Sequence, residues 1–215
     1  MVFEKEFNKH GFENIVAYSG SDITDEMMEQ SFKVSEDFFH EEYQINNSKI
    51  KDIVKNFGQI CFVIVDNSAK KVIGYSFWVP IKAQVFTEFI KSKKMLMFIE
   101  EEHCSKFNEP IVNLFQAGEA FVGGYDIDLL HRALEDIIQS KILVLAQKGV
   151  KIGYIAIEAV CEYDEKYLVE LLGLKRKIQK DNSKLYCDKY SPKTTFARSE
   201  ISKYLEEFYV EKEGV

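Results

Sequence analysis

The segment from Ile111 to Ile157 constrains the chain more than any other. Ile111–Val122 (IVNLFQAGEAFV) is rich in β-branched and aromatic residues and reads as a long central strand. The pair Gly123–Gly124 ends it. Residues 126–147 then place Ile127, Leu130, Leu134, Ile137, Ile138 and Leu145 at helical spacing, and Gly149 stops the helix. Ile152–Ile157 is the next β run. Strands bracketing a helix in this way argue for an α/β fold, a mixed central sheet with helices on both faces.

Upstream, Asn14–Tyr18 reads as a first strand. A helix follows, capped near Ser21 or Asp22, with Met28, Phe32, Ser35 and Phe39 on one side. Ile50, Ile53, Val54 and Phe57 mark a second helix that stops at Gly58. Gln59–Val65 and Lys71–Val79, closed by Pro80, flank the polar turn Asp66–Ala69 as a hairpin. Residues 81–110 are irregular, with Phe86, Phe89, Ile90, Met97 and Phe98 suggesting one or two helices. Downstream, Leu168, Leu171 and Leu172 suggest a short helix stopped by Gly173. Leu174–Ile178 and Lys184–Cys187 form a second hairpin across Lys180–Ser183. After Pro192 comes an amphipathic helix with Ile201, Leu205, Phe208 and Tyr209 inward. Repeats and Pro- or Ser-rich linkers are missing, which predicts one compact domain.

A chain of 215 residues with a formal charge of −7 lacks the basic surface of a nucleic-acid binder. Its apolar runs fall short of a membrane span, and MVFEKEF is too charged for a signal core. Cys61, Cys104, Cys161 and Cys187 have no ligand spacing and read as buried thiols in a reducing compartment, which makes the cytoplasm the expected location.

Several local features resemble the GNAT superfamily of N-acetyltransferases. Lys71–Tyr75 (KVIGY) resembles its third strand. The long helix ending at Gly149–Lys151, followed by Ile155–Ile157, resembles its helix and fifth strand. Leu171–Arg176 (LLGLKR) resembles the end of its fourth helix. The resemblance covers about residues 14–190 and implies a GNAT-like fold over 1–190, with an insert at about 81–110. Residues 191–215 would be a C-terminal helical extension packed on the same domain or on a partner subunit, which leaves a homodimer open. It also implies an acyltransferase taking acetyl-CoA or another acyl-CoA as cosubstrate and an amine acceptor, small molecule or peptide, with no metal. Backbone groups of Phe121, Val122, Gly123, Gly124 and Tyr125 would hold the pantetheine and pyrophosphate, since helix-start N–H groups attract anions and glycine lets them approach.

The chain departs from that family at chemically important places. Where the phosphate loop calls for glycines, only Gly124 matches, and Asp126 and Asp128 take the next two positions. Glu162 and Val169 stand where the family has an Asn and a proton-donating Tyr. Asp126 reads as an N-cap whose carboxylate uses helix-start donors and repels phosphate.

Glu119 is the candidate general base, placed by strand parity on a face with Phe115, Ala117 and Phe121, where burial raises a carboxyl's proton affinity. A structural glutamate paired with Lys or Arg is the alternative. The glycine pair marks either a bulge in the strand or a plain turn. Glu100–Cys104 (EEEHC) reads as a solvated helix face, His131 as a satisfied histidine, and Trp78 as core; His10 and His40 have no partner that sequence can name. The rival to catalysis is a GNAT-like scaffold that binds a small ligand or a protein.

Overall fold

The computed structural model describes residues 2–38, 47–92, 99–159, 165, 172–180 and 183–209. Phe39, His40, Met97, Phe98, Cys161, Glu162, Leu168, Val169, Leu171 and the turn residues Asp181 and Asn182 lie outside them.

Among the described residues a single sheet of eight strands runs in the order β1-β2-β3-β4-β5-β6-β8-β7. The strands are β1 (Val2–Phe3), β2 (Ile15–Ser19), β3 (Ile60–Asp66), β4 (Lys71–Ile81), β5 (Ile111–Phe121), β6 (Lys151–Ala159), β7 (Lys177–Gln179) and β8 (Lys184–Lys189). Neighbours are antiparallel except β5 and β6, which the long helix joins as a parallel pair. The helices are α1 (Lys5–Lys9), α2 (Asp25–Phe38), α3 (Asn47–Phe57), α4 (Ala83–Lys91), α5 (Ile127–Gln147) and α6 (Ser202–Tyr209).

Both faces of the sheet are covered. Met28 and Phe32 of α2, Ile50, Ile53 and Val54 of α3, and Phe86 of α4 pack on one face against Val63, Tyr75, Phe77 and Phe115. Leu130, Leu134, Ile137 and Ile138 of α5 pack on the other against Phe62, Ile73, Leu114 and Ile155. The outer side of α5 is buried too, under α1, α6 and the strap of residues 191–201 between β8 and α6. Gln139 donates from its amide to the carbonyls of Thr195 and Phe196 and to Ser202 Oγ, while Tyr190 donates to its oxygen at 2.5 Å. That bonding satisfies a fully buried amide and ties the strap to the helix.

Three local expectations are corrected and one open alternative is settled. Two elements, β1 and α1, precede residue 14, and they bury Phe3 and Phe7. The cap of α2 is Thr24, whose Oγ1 accepts from Met27 N, because Gly20–Asp22 form a separate 3-10 turn. The strand β4 continues through Pro80, which pairs with Leu114 of β5. Its pairing with β3 has already ended at Trp78, so a residue without an N–H breaks no bond on that side. The bulge lies in β5 opposite Phe77 and Trp78, at Ala117, and the glycine pair is a plain turn.

Candidate functional site

The bulge and the parallel pair define the candidate site. Gln116 pairs with Trp78 and Gly118 with Phe77, so Ala117 is the extra residue, which bends the strand. At the same level β5 and β6 part. Their register ends at Gln116–Ile157; beyond it, among the described residues, Ala117–Phe121 pair only with β4, and Glu158 and Ala159 only with β8. A wedge therefore opens between two parallel strands at their carboxyl ends, where open α/β sheets place ligands.

The bulge also moves Glu119. One extra residue inverts the alternation of side chains, so Glu119 and Phe121 share the α5 face with Leu114 and Gln116, and Phe115 and Ala117 face α2. The parity that grouped Glu119 with Phe115 and Ala117 is corrected on that ground. Glu119 is 4% exposed. Its Oε2 accepts from Ser76 Oγ at 2.5 Å and from Gln116 Nε2 at 3.2 Å, and Trp78 Nε1 donates to Ser76 Oγ at 3.1 Å. Its Oε1 stands 3.2 Å from Nδ1 of His131, a buried histidine of α5 whose ring meets Phe121 edge-on at 5.2 Å. The ion-pair partner of Glu119 is this imidazole, and among the described residues no Lys or Arg pairs with it.

The loop after β5 is fixed from three sides. Val122 N–H donates to Ile73 O, which commits one of the expected backbone donors to β4. Gly123 and Gly124 are exposed, with nothing within 4 Å of where a Cβ would stand, and Gly124 turns the chain at φ +97°. Tyr125 donates its hydroxyl to Asp66 Oδ2 at 2.8 Å, in the β3–β4 turn. Asp66 also accepts from Ser68 and Ala69, and these bonds, Ser68 first, hold its carboxyl down at about 2. Burial and the Asp66 bond push the Tyr125 phenol up to about 12. Asp126 caps α5 as expected: its Oδ1 accepts from Leu129 N at 3.2 Å, and its carbonyl takes the first helical bond from Leu130. Asp128 pairs with Arg198 at 2.8 Å and Arg132 at 3.0 Å, and the Arg198 bond holds its carboxyl below the usual range.

Arg198 is the residue that sequence reading missed. From the strap its Nη1 reaches Asp128, while Nε and Nη2 reach Oε1 of the buried Glu135 at 2.9 and 2.5 Å. Beside it Phe196 is buried with φ +56° and meets Trp78 edge-on at 5.6 Å. No local pattern announces contacts that span sixty residues or more of sequence.

Among the described residues no group of three His, Cys, Asp or Glu side chains is arranged to hold a metal, and no helix is long and apolar enough to cross a membrane. The EEEHC run is a 3-10 turn, Glu101–His103, in which Glu100 and His103 form a capping box; Glu100 and Glu101 bond Lys49 and Asn56.

The architecture has solved counterparts. NAA60 from Arabidopsis thaliana in complex with acetyl-CoA superposes with a TM-score of 0.52 at 12% identity, over 82% of this chain and 98% of that one. The NatC complex bound to Gag peptide and CoA gives 0.52 at 11%, over 81% and 96%. The loading GNATL domain of CurA from Lyngbya majuscula gives 0.52 at 12%, over 76% and 93%. No protein-family model and no curated protein matches the sequence. The chain has the GNAT acetyltransferase fold.

Proposed function

We propose that the protein is an acyltransferase that moves an acetyl or other acyl group from a coenzyme A thioester to an amine, in a small molecule or a peptide. The observation that carries this reading is the wedge between β5 and β6, with the bulge at Ala117 on its wall. The loop Phe121, Val122, Gly123, Gly124 and Tyr125 stands at its mouth, and the open space at both glycines lets phosphate approach the backbone. Two of the structural counterparts were solved with acetyl-CoA or CoA, one of them also with a peptide.

The reaction forms a C–N bond, breaks the C–S bond, and moves a proton from the amine so that thiol and amide leave neutral. Glu119 receives that proton, which then returns to the leaving sulfur so that coenzyme A departs as the thiol. The Glu119 carboxylate is sealed from solvent, and so is Ser76, whose Oγ donates to it at 2.5 Å, so the proton reaches Glu119 through water admitted from the wedge. General base catalysis of this kind contributes about 10²–10⁴-fold.

One observation favours the rival reading, a scaffold that binds without catalysis: the carboxylate of Asp126 stands at the helix start where a pyrophosphate would lie. Thermal unfolding with coenzyme A, acetyl-CoA and longer acyl-CoA separates the two. Ligand at 100 times its Kd adds about 2.7 kcal/mol of apparent stability. A clear upward shift supports the acyltransferase, and no shift with any of the three refutes it.

A further inference from the structure

The structure holds a second carboxylate that the proposed reaction does not use. Glu119 and Glu135 line one small cavity between β5, α5 and the strap, of about 10 Å³, with His131, Trp78 and Phe196 around it. That volume is close to the room needed by one water molecule. Glu135 is 2% exposed. Glu119 Oε1 and Glu135 Oε2 are both buried, and among the described residues neither accepts a hydrogen bond. His131 Nδ1 lies within ion-pair distance of Oε1, outside hydrogen-bond geometry. A bare carboxylate oxygen in a dry interior is costly, and two of them facing one cavity beside an imidazole lower that cost by sharing a proton.

We infer that Glu119, His131 and Glu135 form one proton-sharing unit around this cavity, and that Arg198 of the strap tunes it through Glu135. The functional consequence rests on the reading of Glu119 as the base of the acyl transfer; the existence of the unit rests on the geometry alone. A proton delivered to Glu119 is shared with the imidazole 3.2 Å away and with Glu135 across the cavity. His131 and Asp136 from α5 and Arg198 from the strap act on the charge of Glu135, and Glu119 from β5 lines the same cavity. Burial raises the Glu135 carboxyl, and Arg198 and His131 oppose that rise. Glu135 and His131 are positioning residues, since neither reaches the wedge except through Glu119.

Carboxyl-detected NMR of the full chain, with the glutamate side chains carbon-13 labelled, tests the unit. In Glu119→Gln the titration midpoint of Glu135 falls by about half a pH unit or more, because a negative proton-sharing neighbour has gone. In His131→Gln and Arg198→Gln it rises. A Glu135 curve that superimposes on the wild type in Glu119→Gln overturns the inference. Should that variant fail to fold, an unmoved midpoint in His131→Gln overturns it equally. Coenzyme A binding, measured on the same samples, keeps the two readings apart. Coupled titration without binding refutes the acyltransferase and leaves the unit standing, whereas binding without coupling refutes the unit.

Discussion

Replacing Asp126 by Asn removes a charge from the mouth of the wedge and keeps the cap. Asn and Asp are equivalent N-caps, so the bond to Leu129 N survives and α5 begins where it did. The cap takes only one of the first-turn donors, which makes charge, and not occupancy, the obstacle to a phosphate. A unit charge about 4 Å from a phosphate costs about 4 kcal/mol at an effective dielectric of 20 and about 1 kcal/mol in bulk water. Asp126 is exposed, so the cost lies toward the lower end, about 1–2 kcal/mol. Coenzyme A should therefore bind Asp126→Asn about 5–30-fold more tightly, and the gain should shrink as salt rises. Isothermal titration at low and moderate ionic strength measures both. Asp126→Ala separates cap from charge: it gains the same electrostatic term and loses about 1 kcal/mol of stability in urea unfolding. Affinity unchanged or weakened in Asp126→Asn would show that the pyrophosphate does not approach this helix start.

Asp128→Asn should not reproduce that gain, because its charge is already met by Arg198 and Arg132; titration with coenzyme A checks this. Glu119→Gln keeps an oxygen to accept from Ser76, and should lose about 10²–10⁴-fold in acyl transfer while coenzyme A binding holds, as thiol-release kinetics and titration will show. Phe196→Ala removes a buried ring from Trp78 and should cost about 3–5 kcal/mol in urea unfolding. Asp66 is depressed from its unfolded value of 3.8 to about 2, so its contribution is complete above pH 4 and fades as pH falls through 2. Tyr125→Phe removes one of the bonds responsible and should flatten that acid limb of the thermal stability profile.

The fold was legible where its signals are local. The crossover from β5 through α5 to β6, the β3–β4 hairpin and the Asp126 cap each depend on residues within a few positions of one another, or on the period of a single element. The cap is a bond between residues three apart, and spacing announces it. Ala117 shows the opposite case. Its mark in the sequence is Gly118, a glycine inside a strand, and strand parity inverts beyond the bulge, so simple alternation puts Glu119 on the wrong face while its burial is rightly anticipated. The elements β1 and α1 are too short to show a period. The strap has no period at all, and its specificity lies in Gln139, Glu135 and Asp136, polar residues on the outside of a helix. On the page they look like an ordinary solvated face.

That polar face of α5 connects the two halves of the candidate site. Asp128 stands in the first turn, at the mouth of the wedge, and Glu135 stands two turns on, at the proton-sharing cavity. One guanidinium serves both: Nη1 is given to Asp128, Nε and Nη2 to Glu135. Arginine does not shed its proton at any physiological pH, so this positive charge is a constant of the site. The two carboxylates use separate donors and do not compete for a bond; what ties them is the placement of one guanidinium, which Asp128 and Glu135 hold from two sides.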